Sequence, residues 1–286
     1  MLNERIGPAT ACFAVLGQSL PHTWSPYIHN SLFDAAGIDA VYLPVTVPPE
    51  RLGSAADVFR SCFSGFNITI PYKEKIIPFL DEFDGAVQAC GAVNTVEIRN
   101  GRMIGHITDG LGMLRAIEEK GINTEQADVL ILGGGGAARV AGYEFLSRGG
   151  RVTFAVRDTQ KGNMLARELA ETQSDGLHRL AVRPLTDCAQ AHDILINCTP
   201  VGMYPHADAC PVSENVITRC KAVFDAVYNP RETRLLALAR QNGIPAIEGL
   251  GMLFYQAVEA QRFWFGDGIA SKAKRNRIYS KLQACL

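Results

Sequence analysis

Asp128-Val-Leu-Ile-Leu132 runs directly into Gly133-Gly-Gly-Gly-Ala-Ala-Arg139. A short apolar run bounded by glycine reads as a buried strand, and the apolar spacing beyond it predicts a helix over 136–148. Strand, glycine turn and helix in that order are the phosphate-binding start of a dinucleotide domain. Glycine lets the backbone turn tightly and approach a pyrophosphate, while the helix N-terminus offers unpaired N–H groups and a positive dipole end. Gly133, Gly135, Gly136 and Ala137 are the expected cradle, with Ala138 where the fingerprint has its third glycine. The next strand, 151–156, ends at Val156 and not at an acid that would take a ribose 2′-OH. Arg157 and Lys161 follow it and suit the 2′-phosphate of NADP. Asp158 lies between them and opposes that phosphate, which keeps NAD open.

Outward from this loop the alternation continues. Toward the C-terminus, strands are expected at 192–197, 222–227 and 245–247, helices at 160–173 and 231–242, and a long final helix after Gly251. Toward the N-terminus, strands are expected at 11–16, 40–45, 65–70, 93–98 and 102–107. Helices are expected from Ser25, an N-cap ahead of Pro26, at 50–60, at 74–90 with a break at Pro78, and at 109–121. The polar run Asn123-Thr-Glu-Gln-Ala-Asp128 reads as a hinge. Strands alternating with helices predict largely parallel sheets covered on both faces. The fold class is α/β, in two domains. Residues 1–108, completed by a C-terminal helix 251–286, form the first domain, and the polar clusters it carries make it the expected substrate-binding and catalytic domain. Residues 109–250 form a Rossmann-type, doubly wound dinucleotide-binding domain. The length of 286 residues suits two domains.

Composition excludes several classes. Lys and Arg total 28 against 29 Asp and Glu, a net charge of −1, so the basic excess of a nucleic-acid binder is missing. No apolar run reaches the ~18 residues of a membrane span, and Met1 to Pro8 lack the apolar core of a signal peptide. The eight cysteines are scattered, with no Cys-x-x-Cys pair and no companion at zinc-ligand spacing. They read as free thiols of a cytoplasmic protein, and no metal is expected. The basic run Lys272-Ala-Lys-Arg-Asn-Arg277 reads as the end of the last helix, complementing its dipole.

Polar residues cluster in the first half. His22-Thr23-Trp24-Ser25-Pro26 places two hydroxyls beside a helix N-terminus, which suits a carboxylate ligand. In Asn67-Ile-Thr-Ile-Pro-Tyr-Lys73, strand alternation puts Asn67 and Thr69 on one face and Ile68 and Ile70 on the other. Lys73 then follows the strand's C-terminal end, the edge where open α/β sheets bind ligands. Asn94 opens a strand, and Asp109 stands where a strand passes to a helix, a place also natural for an N-cap. Gln256 shares a helical face with Met252, Tyr255 and Phe263, a stripe that should be buried, so its amide needs partners. A cation, a carboxylate, amides and hydroxyls together suit a small polyhydroxy acid.

These runs resemble the shikimate/quinate dehydrogenase family along essentially the whole chain. The resemblance rests on His22 to Pro26, Asn67 to Lys73, Gly91-Ala-Val-Asn94-Thr, Thr108-Asp109-Gly110 and Gly133 to Ala137. It continues through Asn197-Cys-Thr-Pro-Val-Gly-Met203 and Gly249-Leu-Gly-Met-Leu-Phe-Tyr-Gln256. It implies an NADP-linked, reversible reaction between 3-dehydroshikimate and shikimate in aromatic amino-acid biosynthesis. It implies that Lys73 and Asp109 are the catalytic pair and that Thr23 and Ser25 hold the substrate carboxylate. Asn67, Thr69, Asn94, Asp109 and Gln256 would hold hydroxyls, with Tyr228 near the same pocket. Met203 would fall in the segment lining the nicotinamide and Gly251 in the loop that closes beside it, with Thr199 and Gly249 also among the cofactor-binding residues.

The chemistry agrees with the resemblance. Hydride addition to a ketone puts negative charge on its oxygen, which a positioned ammonium can stabilise and protonate. Two departures leave the substrate open. Thr23 stands where the family commonly has Ser, and Ile107 where it commonly has Asn before the Thr-Asp pair. An enzyme acting on quinate or shikimate with NAD is the alternative. A non-catalytic dinucleotide-binding regulator is a further one, opposed by the presence of both Lys73 and Asp109. The sequence fits a monomer or a homodimer equally.

Overall fold

The computed structural model describes residues 6–173 and 175–285. Residues 1–5, part of the segment read for a signal peptide, lie outside the described residues. The chain forms two compact units, Met1–Thr108 with Gln256–Leu286, and Asp109–Tyr255.

In the first unit, β1 (Ala11–Gly17), β2 (Ala40–Thr46), β3 (Gly65–Ile68), β4 (Glu82–Phe83), β5 (Thr95–Arg99) and β6 (Arg102–His106) form one sheet. Their order is β2-β1-β3-β5-β6-β4. Its helices are α1 (Ser25–Ala36), α2 (Leu52–Cys62) and α3 (Gly85–Cys90). β1 runs parallel to β2 and β3, and β4 to β6, but β5 is antiparallel to both its neighbours. The β5–β6 pairing has a local cause: Asn100 and Gly101 take φ of 53° and 75°, the positive pair that a two-residue hairpin turn requires. The 74–90 stretch is not one helix. It is a 3-10 turn over Ile77–Phe79, then β4, then α3, whose N-cap Asp84 accepts from Val87 N–H. β3 ends at Ile68, so Ile70 does not share its buried face and is 78% exposed.

The second unit contains β7 (Asp128–Leu132), β8 (Arg151–Val156), β9 (Leu180–Pro184), β10 (His192–Asn197), β11 (Cys220–Asp225) and β12 (Ala246–Glu248). Its helices are α4 (Asp109–Glu118), α5 (Gly136–Ser147), α6 (Thr159–Ala170), α7 (Glu214–Ile217) and α8 (Arg234–Gln241). The order β12-β11-β10-β7-β8-β9 is parallel throughout, the doubly wound dinucleotide-binding arrangement with its switch point between β7 and β10. β9 has no counterpart in the sequence reading, since this edge strand, Leu-Ala-Val-Arg-Pro, buries no continuous apolar run. The segment read as a hinge is tied down inside this unit. Arg148 Nη1 donates to Glu118 at 2.8 Å, Thr124 at 3.1 Å and Glu125 at 2.9 Å.

The C-terminal segment is two helices, α9 (Gly249–Phe265) and α10 (Lys272–Cys285), separated at Gly266 with φ of 59°. Trp264 and Phe265 of α9 pack on the first unit's core of Phe13, Val15, Phe33 and Tyr42. Trp264 Nε1 also donates to Val96 O at 3.0 Å. The basic run 272–277 starts α10 and does not end it, so it opposes that helix's dipole. Lys274 instead donates to Ala35 O at the C-terminal end of α1, where a cation is favourable.

Candidate functional site

In the first unit the predicted polar residues meet at the C-terminal end of β3 and the start of β5. Asn67 is 6% exposed and Asn94 3%, so each amide needs partners. Asn67 Nδ2 donates to Asn94 O at 3.1 Å and Thr95 Oγ1 at 2.9 Å, and its Oδ1 accepts from Tyr42 Oη at 2.7 Å. Asn94 Oδ1 accepts from Thr108 N–H at 2.7 Å, and its Nδ2 donates to Thr108 Oγ1 at 3.0 Å. Both Asn67 donors are consumed, and its Oδ1 accepts from Tyr42 and takes the hydrogen bond of His29. Asn94 keeps one N–H. A bound molecule would therefore find a donor at Asn94.

A backbone bond brings Lys73 beside this network, and Thr69 is held against β1 and in the turn that leads to the lysine. Val93 N–H, next to Asn94, donates to Lys73 O at 2.8 Å; Thr69 N–H donates to Leu16 O at 3.0 Å, and Thr69 O accepts from Tyr72 N–H at 3.0 Å. Lys73 is half-buried. Its neighbour Tyr72 is fully buried and donates to Val47 O at 2.5 Å, which anchors the turn carrying the lysine.

Ser25 is not the N-cap of α1. Trp24 holds that position, no side chain caps the helix, and Ser25 N–H donates to Thr23 Oγ1 at 3.4 Å. Two hydroxyls thus flank an uncapped N-terminus. Gln256 is 8% exposed and also belongs to this unit. Ile107, at the family's Asn position, is a core residue at 3% exposure.

Sequence reasoning missed His29 and Tyr42 behind the amides. The two rings stack at 4.2 Å and 4°. Burial pushes the His29 imidazole down to about 3, only partly offset by its hydrogen bond to Asn67, so it stays neutral beside that amide. The available signal was a histidine next to Ile28 on the face that also carries Leu32.

In the second unit, Asp109 is half-buried as the first residue of α4. The glycine loop lies at the switch point. Gly133 has φ of 109°, and a Cβ there would stand 3.2 Å from Thr199 Cγ2 and 3.4 Å from Cys198 O. The β7 and β10 loops therefore touch each other. Positions 135 and 136 have open space where a Cβ would be, and α5 begins there with no side-chain cap. Gly134 to Ala137 are exposed. This is a cradle of the right form for a pyrophosphate.

At the end of β8, Asp158 caps α6. Its Oδ1 accepts from Gln160 and Lys161 N–H, each at 3.1 Å. That carboxylate serves its own helix, and Arg157 and Lys161 stand exposed on either side of it. Thr199 donates its N–H and hydroxyl to Asn197 Oδ1 at 3.0 and 2.7 Å. Met203 and Tyr228 are 46% and 41% exposed, and Gly249 is buried where β12 meets α9. Among the described residues no three His, Cys, Asp or Glu gather as a metal site, and no helix is long and apolar enough to cross a membrane.

Comparison with known proteins agrees with this architecture. The model of the shikimate dehydrogenase substrate binding domain matches residues 15–96. A shikimate dehydrogenase (NADP(+)) of Methanocaldococcus jannaschii is 36% identical over 280 residues, 97% of this chain and 99% of its own. A crystal structure of shikimate dehydrogenase in complex with NADP+ superposes with TM-score 0.88 at 35% identity, covering 96% of this chain and 97% of the other. A Listeria monocytogenes shikimate 5-dehydrogenase in complex with shikimate and NAD gives TM-score 0.89 at 28% identity, covering 97% and 98%. The chain belongs to the shikimate dehydrogenase family.

Proposed function

We propose that this protein reduces the ketone of 3-dehydroshikimate to the hydroxyl of shikimate, reversibly and with NADPH, in aromatic amino-acid biosynthesis. The observation that carries the reading is the placement of Lys73. A half-buried lysine follows the C-terminal end of β3, its backbone bonded beside a network of amides and hydroxyls, in a chain similar to shikimate dehydrogenases over nearly its full length.

NADPH, when bound, supplies the hydride. Lys73 then stabilises the charge that develops on the carbonyl oxygen and gives that oxygen its proton. Asp109 orients the ammonium. Thr23 and Ser25 take the substrate carboxylate, helped by the uncapped N-terminus of α1. Asn67 and Asn94 hold substrate hydroxyls, Asn94 through its remaining N–H, with Thr69, Gln256 and Tyr228 completing the set.

For the cofactor, Gly133, Gly135, Gly136 and Ala137 take the pyrophosphate, and Thr199, Met203 and Gly249 the nicotinamide side. Arg157 and Lys161 take the 2′-phosphate. The capping role of Asp158 supports NADP, because its carboxylate is already engaged by two backbone N–H groups. Scattered cysteines with no Cys-x-x-Cys pair fit a reducing compartment, so we place the protein in the cytoplasm.

The test is Lys73→Ala. Its kcat should fall by about 10³, within the range for loss of a general acid, while the KM for 3-dehydroshikimate changes only severalfold. Unchanged turnover would remove Lys73 from the mechanism.

A further inference from the structure

We propose that Asp225 is a positioning residue for the dinucleotide, its carboxylate shaping both the 197–203 loop and the 226–228 turn. This rests on the assignment of Thr199 and Met203 to the cofactor. Asp225 ends β11 and is wholly buried. Its Oδ1 accepts from Asn197 Nδ2 at 2.9 Å and from Val227 N–H at 3.0 Å, and its Oδ2 accepts from Thr233 Oγ1 at 2.6 Å. Asn197 passes the constraint on. Its Nδ2 also donates to Val201 O at 3.3 Å, and its Oδ1 takes both the N–H and the hydroxyl of Thr199. One carboxylate thus fixes the amide that folds Thr199 to Val201, and also the backbone leading to Tyr228.

All three groups facing the carboxylate are donors, so the ring is complete only when Asp225 is ionised. A proton on Oδ1 would meet two N–H groups, and one on Oδ2 would force the Thr233 hydroxyl to reverse. Burial opposes the charge and pushes the Asp225 carboxyl up to about 6, against the hydrogen bonds from Thr233, Val227 and Asn197. At neutral pH such a group weakens folding relative to a neutral isostere, and residues kept at a cost to stability are characteristic of functional sites. The surrounding groups are few. Burial first, and then the Asp225 charge, push the Cys198 thiol up to about 12 and raise Cys210. Arg234 faces Cys210. Glu248, opposite Asp225 in the ladder, is paired with Arg231 at 2.7 Å.

The experiment is calorimetric titration of NADP+ into the full-length wild type and Asp225→Asn between pH 5 and 8, with thermal unfolding on the same samples. At pH 8 the variant should bind about tenfold more weakly, the scale of a lost hydrogen bond to a charged group. Its melting temperature should be unchanged or higher. The affinity gap should close as pH falls through about 6, because the wild type is then neutral at this position too; the comparison cancels titration of the ligand's own 2′-phosphate. Equal affinity at pH 8, or a loss that merely follows a fall in melting temperature, would overturn the proposal. Should Asp225→Asn fail to fold, Thr233→Val removes one of the three donors and should raise the Kd several-fold; an unchanged Kd overturns the proposal. Wild-type protein that binds no NADP+ at any pH would instead refute the cofactor assignment.

Discussion

Each unit closes a ring of buried polar groups at the ends of its strands, and the two rings differ in charge. In the first, Asn67, Asn94, Thr95 and Thr108 satisfy one another as neutral amides and hydroxyls. In the second, Asn197, Thr199 and Thr233 gather around the carboxylate of Asp225. A neutral ring of mutually hydrogen-bonded groups strengthens the fold, whereas a ring around a buried charge sacrifices stability for a defined shape. Substitutions in the first should therefore lower stability, and substitutions at the charge of the second should lower cofactor binding instead.

The sharpest break would come at Asn94. Asn94→Ala leaves the buried N–H of Thr108 without its acceptor, so unfolding free energy should fall by about 3 kcal/mol, read by denaturant titration. A loss below about 0.5 kcal/mol would mean that the first ring is not structural. Next is Gly133→Ala. A residue with a Cβ held at φ of 109° and crowded by Thr199 Cγ2 should cost about 2 kcal/mol and weaken NADP+ binding in calorimetry. A variant as stable as the wild type would show that the two loops can separate freely.

The smallest effect is a pH dependence. Folding raises the Asp225 carboxyl from 3.8 to about 6. The folded state then binds the extra proton in that window, and its stabilising effect is lost as pH rises through about 6. From pH 5 to 7.5, wild type should therefore lose about 1 kcal/mol relative to Asp225→Asn. A gap that moves the opposite way would place the charge elsewhere.

The sequence made the second unit easier to read than the first. Its strands are fully buried on both faces, so each appears as an apolar run followed by a loop, and the glycines mark the switch point directly. β9 escaped because an edge strand needs no such run. The first unit hid its hairpin in Asn100-Gly101 and its broken 74–90 stretch in Asp84-Gly85, turn and cap signals that apolar spacing alone passes over. Candidate residues such as Lys73, Asn67 and Asn94 stood out as polar groups beside apolar runs. Tyr42, His29 and Asp225 did not, because their importance lies in partners distant in the chain: Tyr42 meets Asn67 across 25 positions, and Asp225 meets Asn197 across 28.

The most direct trial of the whole account is a set of initial rates with purified protein, pairing NADPH or NADH with 3-dehydroshikimate or 3-dehydroquinate. The highest kcat/KM should be for NADPH with 3-dehydroshikimate. No consumption of NADPH on that ketone, or a higher kcat/KM with NADH, would contradict it.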